Sequence, residues 1–235
     1  MAPCWPGGVS GAGPTARSKL PGGIAVGPDG NVYLADTGDN RMEVFTPGGT
    51  FLRKWGTIGS GDGQFSSCWA LDIASDGTVF VLDAQYLNHR VQVFSPDGTF
   101  LRRWGVSAYP NRIALDGFGG LWVPDDISGV AHKHSLTGTT LGYLGSKTSP
   151  NGPYSIAVDH EGRVCVGTLD PGVRVYAPTG ELLGEFATDG TPDDLRIDGD
   201  DDLVGSFGSR VRIYSTQMAT PVHASTWGQL KALYR

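Results

Sequence analysis

The chain is short of cysteine, of histidine and of charge. Its three cysteines, Cys4, Cys68 and Cys165, are widely spaced, with no C-x-x-C pair and no histidine cluster beside them. That spacing leaves no zinc-ribbon type of site, and a chain of this length can bury a core that makes a disulfide-stapled miniature unnecessary. The three read as free thiols; one must stay unpaired within a monomer, and a Cys4 to Cys68 bridge is open only in an oxidising compartment. Charged residues make up 18% of the chain and hydrophobic ones 39%, too apolar for a solvated tail and enough for a core. No run of 18 apolar residues occurs, which leaves no membrane-spanning helix, and the first 25 residues lack a signal-peptide core, so the compartment stays undetermined. Basic residues number 18 against 24 acidic ones, for a net charge of −6; an acidic surface disfavours nucleic acid unless a local basic patch overrides it. G-x-S-x-G, Walker A and H-E-x-x-H sequences are all missing.

Glycine and proline, by contrast, are abundant: 36 and 15 residues, together roughly a fifth of the chain against about 12% in ordinary proteins. Turns must be frequent, and they recur with a period. Copies run near residues 22–56, 69–105, 111–145, 154–186 and 193–215, and their first apolar positions, Ile24, Leu71, Ile113, Ile156 and Leu195, are spaced by about 43 on average. Within a copy the apolar residues alternate in short bursts, as in Ile24 and Val26, Val32 and Leu34, Met42 and Val44, which is a strand period rather than a helical one. Between the bursts stand Asp29-Gly30, Gly48-Gly49, Asp76-Gly77, Asp97-Gly98, Glu161-Gly162 and Thr179-Gly180. Such dipeptides tolerate the positive φ of tight hairpins. Each copy is therefore expected to be a four-stranded antiparallel meander. A unit of that kind at that period predicts an all-β propeller over residues 1–215.

The wording of copies one and two, with Asp36, Asn40 and Arg41 and again Asp83, Asn88 and Arg90 ahead of V-F, resembles the NHL repeat. The resemblance implies a propeller, in most of the family with six blades. This chain has sequence for five, and the fifth copy stops after three strands. Two readings stand: Met1 to Trp5 closes a five-bladed ring, or the chain is an incomplete six-bladed array.

Residues 216–235 form a tail with a predicted short C-terminal helix. Thr226 and Gln229 make a capping box, and Trp227, Leu230, Leu233 and Tyr234 share one face. Ten residues are too few to hold a helix alone, so the segment is expected to dock. Its wording also resembles the ends of some bacterial secreted proteins.

Chemistry in a propeller belongs on the loops around the channel. Asp36, Asp83, Asp125 and Asp126 follow second strands and could hold Ca²⁺ through their oxygens, or could satisfy their own blade's N–H groups and the arginine that follows. Asp125 and Asp126 have no such arginine. His132 and His134 lie at i and i+2 on a third strand, away from the channel. Within the resemblance, amidating lyases use histidines around a channel zinc and lactonase-like propellers a Glu, Asn and Asp set; neither motif is visible. Arg53, Lys54, Arg102 and Arg103 sit on fourth strands, where charge protects a sheet edge, although some NHL propellers bind RNA through a basic face. Bulky residues that break the repeat in loops, Tyr86, Tyr109, Tyr154 and Trp69, offer contact area with a polar tip or edge. The expectation is a non-catalytic scaffold that binds a protein, peptide or glycan through Tyr86, Tyr109, Asp125, Asp126 and Tyr154, with no catalytic residues, metal or cofactor. A metal-dependent channel enzyme is the second reading and an RNA-binding propeller the third.

Overall fold

The computed structural model describes residues 21–84, 88–106, 110–145, 152–188 and 190–214. Within them the chain is an all-β, five-bladed propeller. Blade 1 comprises β1 (Pro21–Val26), β2 (Val32–Asp36), β3 (Arg41–Phe45) and β4 (Phe51–Trp55). A two-stranded parallel pair, β5 (Thr57–Ile58) and β6 (Gln64–Phe65), leads into blade 2. That blade holds β7 (Cys68–Ile73), β8 (Val79–Asp83), β9 (Arg90–Phe94) and β10 (Phe100–Gly105). Blade 3 is β11 (Ala114–Leu115), β12 (Gly120–Asp125), β13 (Val130–Ser135) and β14 (Thr140–Gly145). Blade 4 is β15 (Pro153–Val158), β16 (Val164–Thr168), β17 (Gly172–Tyr176) and β18 (Leu182–Ala187). Blade 5, among the described residues, is β19 (Asp194–Ile197), β20 (Leu203–Phe207) and β21 (Arg210–Tyr214). Strands pair in sequence order within each blade, all antiparallel. The strand proposed to close the ring from Met1 to Trp5 and the tail helix lie outside the described residues.

The glycine-rich turns explain the registers. Between third and fourth strands, Gly49, Gly98, Gly138 and Gly180 adopt φ of +82°, +92°, +97° and +91°, and each donates its N–H to the carbonyl three residues earlier. A residue in that conformation at the end of a turn adds one position to a strand. The pairing shifts by one beside each turn, for instance between Val44 and Phe45 and between Lys133 and His134.

Blades hold together through the two faces of the alternation. Leu71, Ile113, Ile156 and Leu195 point back at the preceding blade and are fully buried in four successive clusters, which join blades 1 to 2, 2 to 3, 3 to 4 and 4 to 5. Each such side chain contributes about 1.5–3 kcal/mol of burial. Farther out, Trp55 of β4 packs beneath Gly98 of the next blade, and Trp104 of β10 beneath Gly138. The fourth-strand arginines act at the same joints: Arg53 donates to the Pro96 carbonyl and stacks on Tyr33, and Arg102 Nε donates to the Leu136 carbonyl at 3.0 Å. They are inter-blade fasteners rather than a free basic face.

Candidate functional site

The first strand of each blade lines the channel. Five strands converge there, so small side chains fit best. The position after the first apolar residue of each repeat is Ala25, Ala114 and Ala157 in blades 1, 3 and 4, but Asp72 in blade 2 and Arg196 in blade 5. The position before it is Gly23, Ala70 and Ser155, but Arg112 in blade 3 and Asp194 in blade 5. These four charges meet across the channel. Arg112 Nε lies 3.3 Å from Asp194 Oδ1, and Arg196 Nε 3.6 Å from its Oδ2. Asp72, from the opposite side, accepts the Leu115 N–H at 2.7 Å and the Ile73 N–H at 2.9 Å. Burial pushes its carboxyl above the ordinary range, with Asp194 adding to the push and Arg196 and the two N–H bonds pulling the other way.

The channel opens, at the end carrying the hairpins between first and second strands, into a cavity of about 820 Å³ reached by all five blades. Val26, Asp72, Asp76, Phe118, His160 and Arg196 are among its lining residues. Its turn aspartates are already engaged. Asp116 accepts the Phe118 and Gly120 N–H groups, both at 2.8 Å, and Lys133 Nζ lies 2.7 Å away. Asp159 accepts the Glu161 and Arg163 N–H groups and pairs with the Arg163 guanidinium. His160 bonds Asp201 across the gap between blades 4 and 5. Phe118 stands 70% exposed at the rim.

The sequence-predicted residues fall elsewhere. Tyr86 and Tyr109 lie outside the described residues. Asp125 is buried at the end of β12, where it accepts the Ile127 and Ser128 N–H groups at 3.1 and 3.2 Å. Asp126 follows it half-buried, and Tyr154 is half-buried at the start of β15. All three sit at the ends of the strands opposite the cavity. Asp83 is buried under the N–H groups of Ser66 and Ser67, Asn88 and the Arg90 guanidinium, and Asp36 pairs with Arg41. Trp69 packs against the core between blades 2 and 3. His132 and His134 are neighbours on β13, with ring centres 6.3 Å apart, and burial with His132 alongside holds His134 below its usual range. Among the described residues no group of three or more His, Cys, Asp or Glu is placed to hold a metal ion. Cys68 and Cys165 are free and buried, their thiols pushed up to about 12 by burial.

Asp72, Arg112, Asp194 and Arg196 were overlooked because each looks unremarkable in its own copy of the repeat. The signal lay in the alignment of the copies, where a charge replaces alanine, glycine or serine at a channel position.

The NHL repeat model matches residues 19–45. No curated protein sequence matches the chain. Among solved structures, a putative gluconolactonase superposes with a TM-score of 0.68 at 22% identity, over 81% of this chain and 72% of that one. A catalytically inactive virginiamycin B lyase from Staphylococcus aureus, solved with quinupristin, gives 0.67 at 15%, over 87% and 69%. A streptogramin B lyase gives 0.65 at 14%, over 82% of this chain and 64% of that one, so the chain spans less than two thirds of that lyase. At these identities the likeness shows the fold alone. With the NHL repeat model on blade 1 and a related pattern carried round five blades, the chain is a five-bladed β-propeller that carries an NHL repeat at residues 19–45.

Proposed function

We propose that the chain is a non-catalytic binding propeller that takes a polar ligand, a peptide segment or a glycan, in the cavity at the hairpin end of its channel. The carrying observation is the cavity itself. Its volume of about 820 Å³ falls within the roughly 300–1,000 Å³ of ligand sites. Asp116 and Asp159 on its wall are consumed by their own turns and by Lys133 and Arg163, so they shape the wall rather than act as free acids or bases. What faces the ligand is an exposed aromatic ring, Phe118, a half-buried guanidinium, Arg196, and the rim of turn backbones. That combination suits stacking and hydrogen bonding.

The test is retention of the purified chain on peptide and glycan arrays, followed by calorimetric titration of the best binder. Binding that Arg196→Gln or Phe118→Ala weakens tenfold or more, and that a chelator leaves unchanged, is the expected result. Failure on both arrays overturns it.

A channel enzyme is the second reading, favoured by Asp72. A carboxyl held above its ordinary range near a guanidinium is placed for proton transfer, and the lyase and gluconolactonase likeness makes a lyase or lactone hydrolase the class to try. That reading predicts turnover of quinupristin or of a sugar lactone, abolished by Asp72→Asn. RNA binding has the least support, since Arg53 and Arg102 are spent on inter-blade carbonyls; it would require salt-dependent RNA retention.

A further inference from the structure

Four of the five blade-to-blade joints are sealed in the same way, and comparison with them exposes what the fifth lacks. Leu71, Ile113, Ile156 and Leu195 are each fully buried against the blade before them, whereas Ile24, at the same position in blade 1, is 57% exposed. Ile73, Leu115, Val158 and Ile197 pack against inter-blade clusters, whereas their counterpart Val26 is 67% exposed. On the other side of the same seam, blade 5 presents Val204, Val211 and Ile213 on the face that every other blade buries against its successor, and Val211 is 70% exposed. Among the described residues no core cluster joins blade 5 to blade 1.

We propose that this seam is the docking groove of the chain's own C-terminal segment, with Trp227, Leu230, Leu233 and Tyr234 covering Ile24 and Val26 on one wall and Val211 on the other. The apolar stripe and the bare seam are complementary in chemistry. The segment is too short to hold a helix without a partner. Twelve residues separate Tyr214, the end of β21, from Trp227, and extended they reach about 40 Å, enough to return to either wall. A tethered segment meets the groove at an effective concentration near millimolar, above that of a second copy in dilute solution, which makes the tail the favoured occupant.

The experiment uses the full chain carrying Cys4→Ala, Ile24→Cys and Leu230→Cys under mild oxidation, and in parallel the wild type, Trp227→Glu and a chain ending at Ser225, each followed by amide hydrogen exchange. The expected results are a disulfide within one chain and exchange at β1 that quickens at least tenfold in both altered tails. Amides of β8 and β9 keep their protection, which shows that the propeller is still folded. Unchanged β1 protection without the tail overturns the proposal, as does a cross-link found only between chains, which would make a second copy the occupant.

Discussion

Asp83 and Asp72 are the same residue type in one blade with different partners. Asp83 is fully buried, yet its two oxygens receive the Ser66 and Ser67 N–H groups, Asn88 and Arg90. Asp83→Ala leaves Arg90 buried without its charge partner and is expected to cost about 3–5 kcal/mol, read as a lower urea midpoint at unchanged slope. Asp72 has two N–H donors, and burial wins, so its carboxyl lies above the ordinary range in the fold. Between the unfolded value of about 3.9 and that raised folded value, the native state binds more protons than the unfolded one. Stability therefore falls as pH rises through this window. Asp72→Asn keeps an oxygen for the Leu115 N–H and removes the charge, so the variant should melt higher than the wild type at pH 7 and close to it at pH 3. The two buried thiols give a simpler expectation. Cys68 and Cys165, pushed up to about 12, should stay silent toward a thiol reagent at pH 8 in the native protein, and both should react in denaturant. None of these differences is legible in a single strand, since both carboxylates accept backbone N–H groups and what separates them is the Asn88 and Arg90 side chains that reach Asp83.

The hairpin is the element that the sequence encodes most completely. Asp-Gly and Thr-Gly dipeptides sit where positive φ is needed, and the one-residue shifts in register follow from them. The second role of these glycines was invisible. Gly98 carries φ of +92°, and a Cβ there would stand 2.7 Å from the Trp55 ring of the preceding blade; Gly63 has φ of +74° with nothing within 4 Å. Gly63→Ala should cost about 1 kcal/mol of backbone strain, and Gly98→Ala clearly more, because the ring must move as well. Thermal melting of the two variants side by side checks this, and equal losses would show that the Trp55 contact adds nothing. The fourth-strand arginines teach the same lesson. A strand pattern marks Arg53 and Arg102 as edge charges, and only the stacking of blades turns them toward Pro96 and Leu136.

At the scale of the molecule, repeats that touch only their neighbours give a stability profile rather than one value. Blade 2 is packed on both sides, and β8 and β9 are buried throughout, whereas β1 and β21 each present an exposed side. Hydrogen exchange should accordingly be slowest in β8 and β9 and quicken toward β1 and β21; uniform protection would mean a fully closed ring. The period near 43, the alternation of two and the turn dipeptides by themselves determined an all-β propeller of antiparallel blades, because those are local properties of strands and hairpins. Which end of the channel opens into a cavity was decided by the tertiary structure alone. So was the meeting of Asp72, Arg112, Asp194 and Arg196, contributed by first strands and the segment leading into β11, at positions as much as 124 residues apart. The physical reason is convergence: a channel is made by strands from every blade at once, and a charge there acquires its partner, its burial and its pKa only when the blades have closed round it.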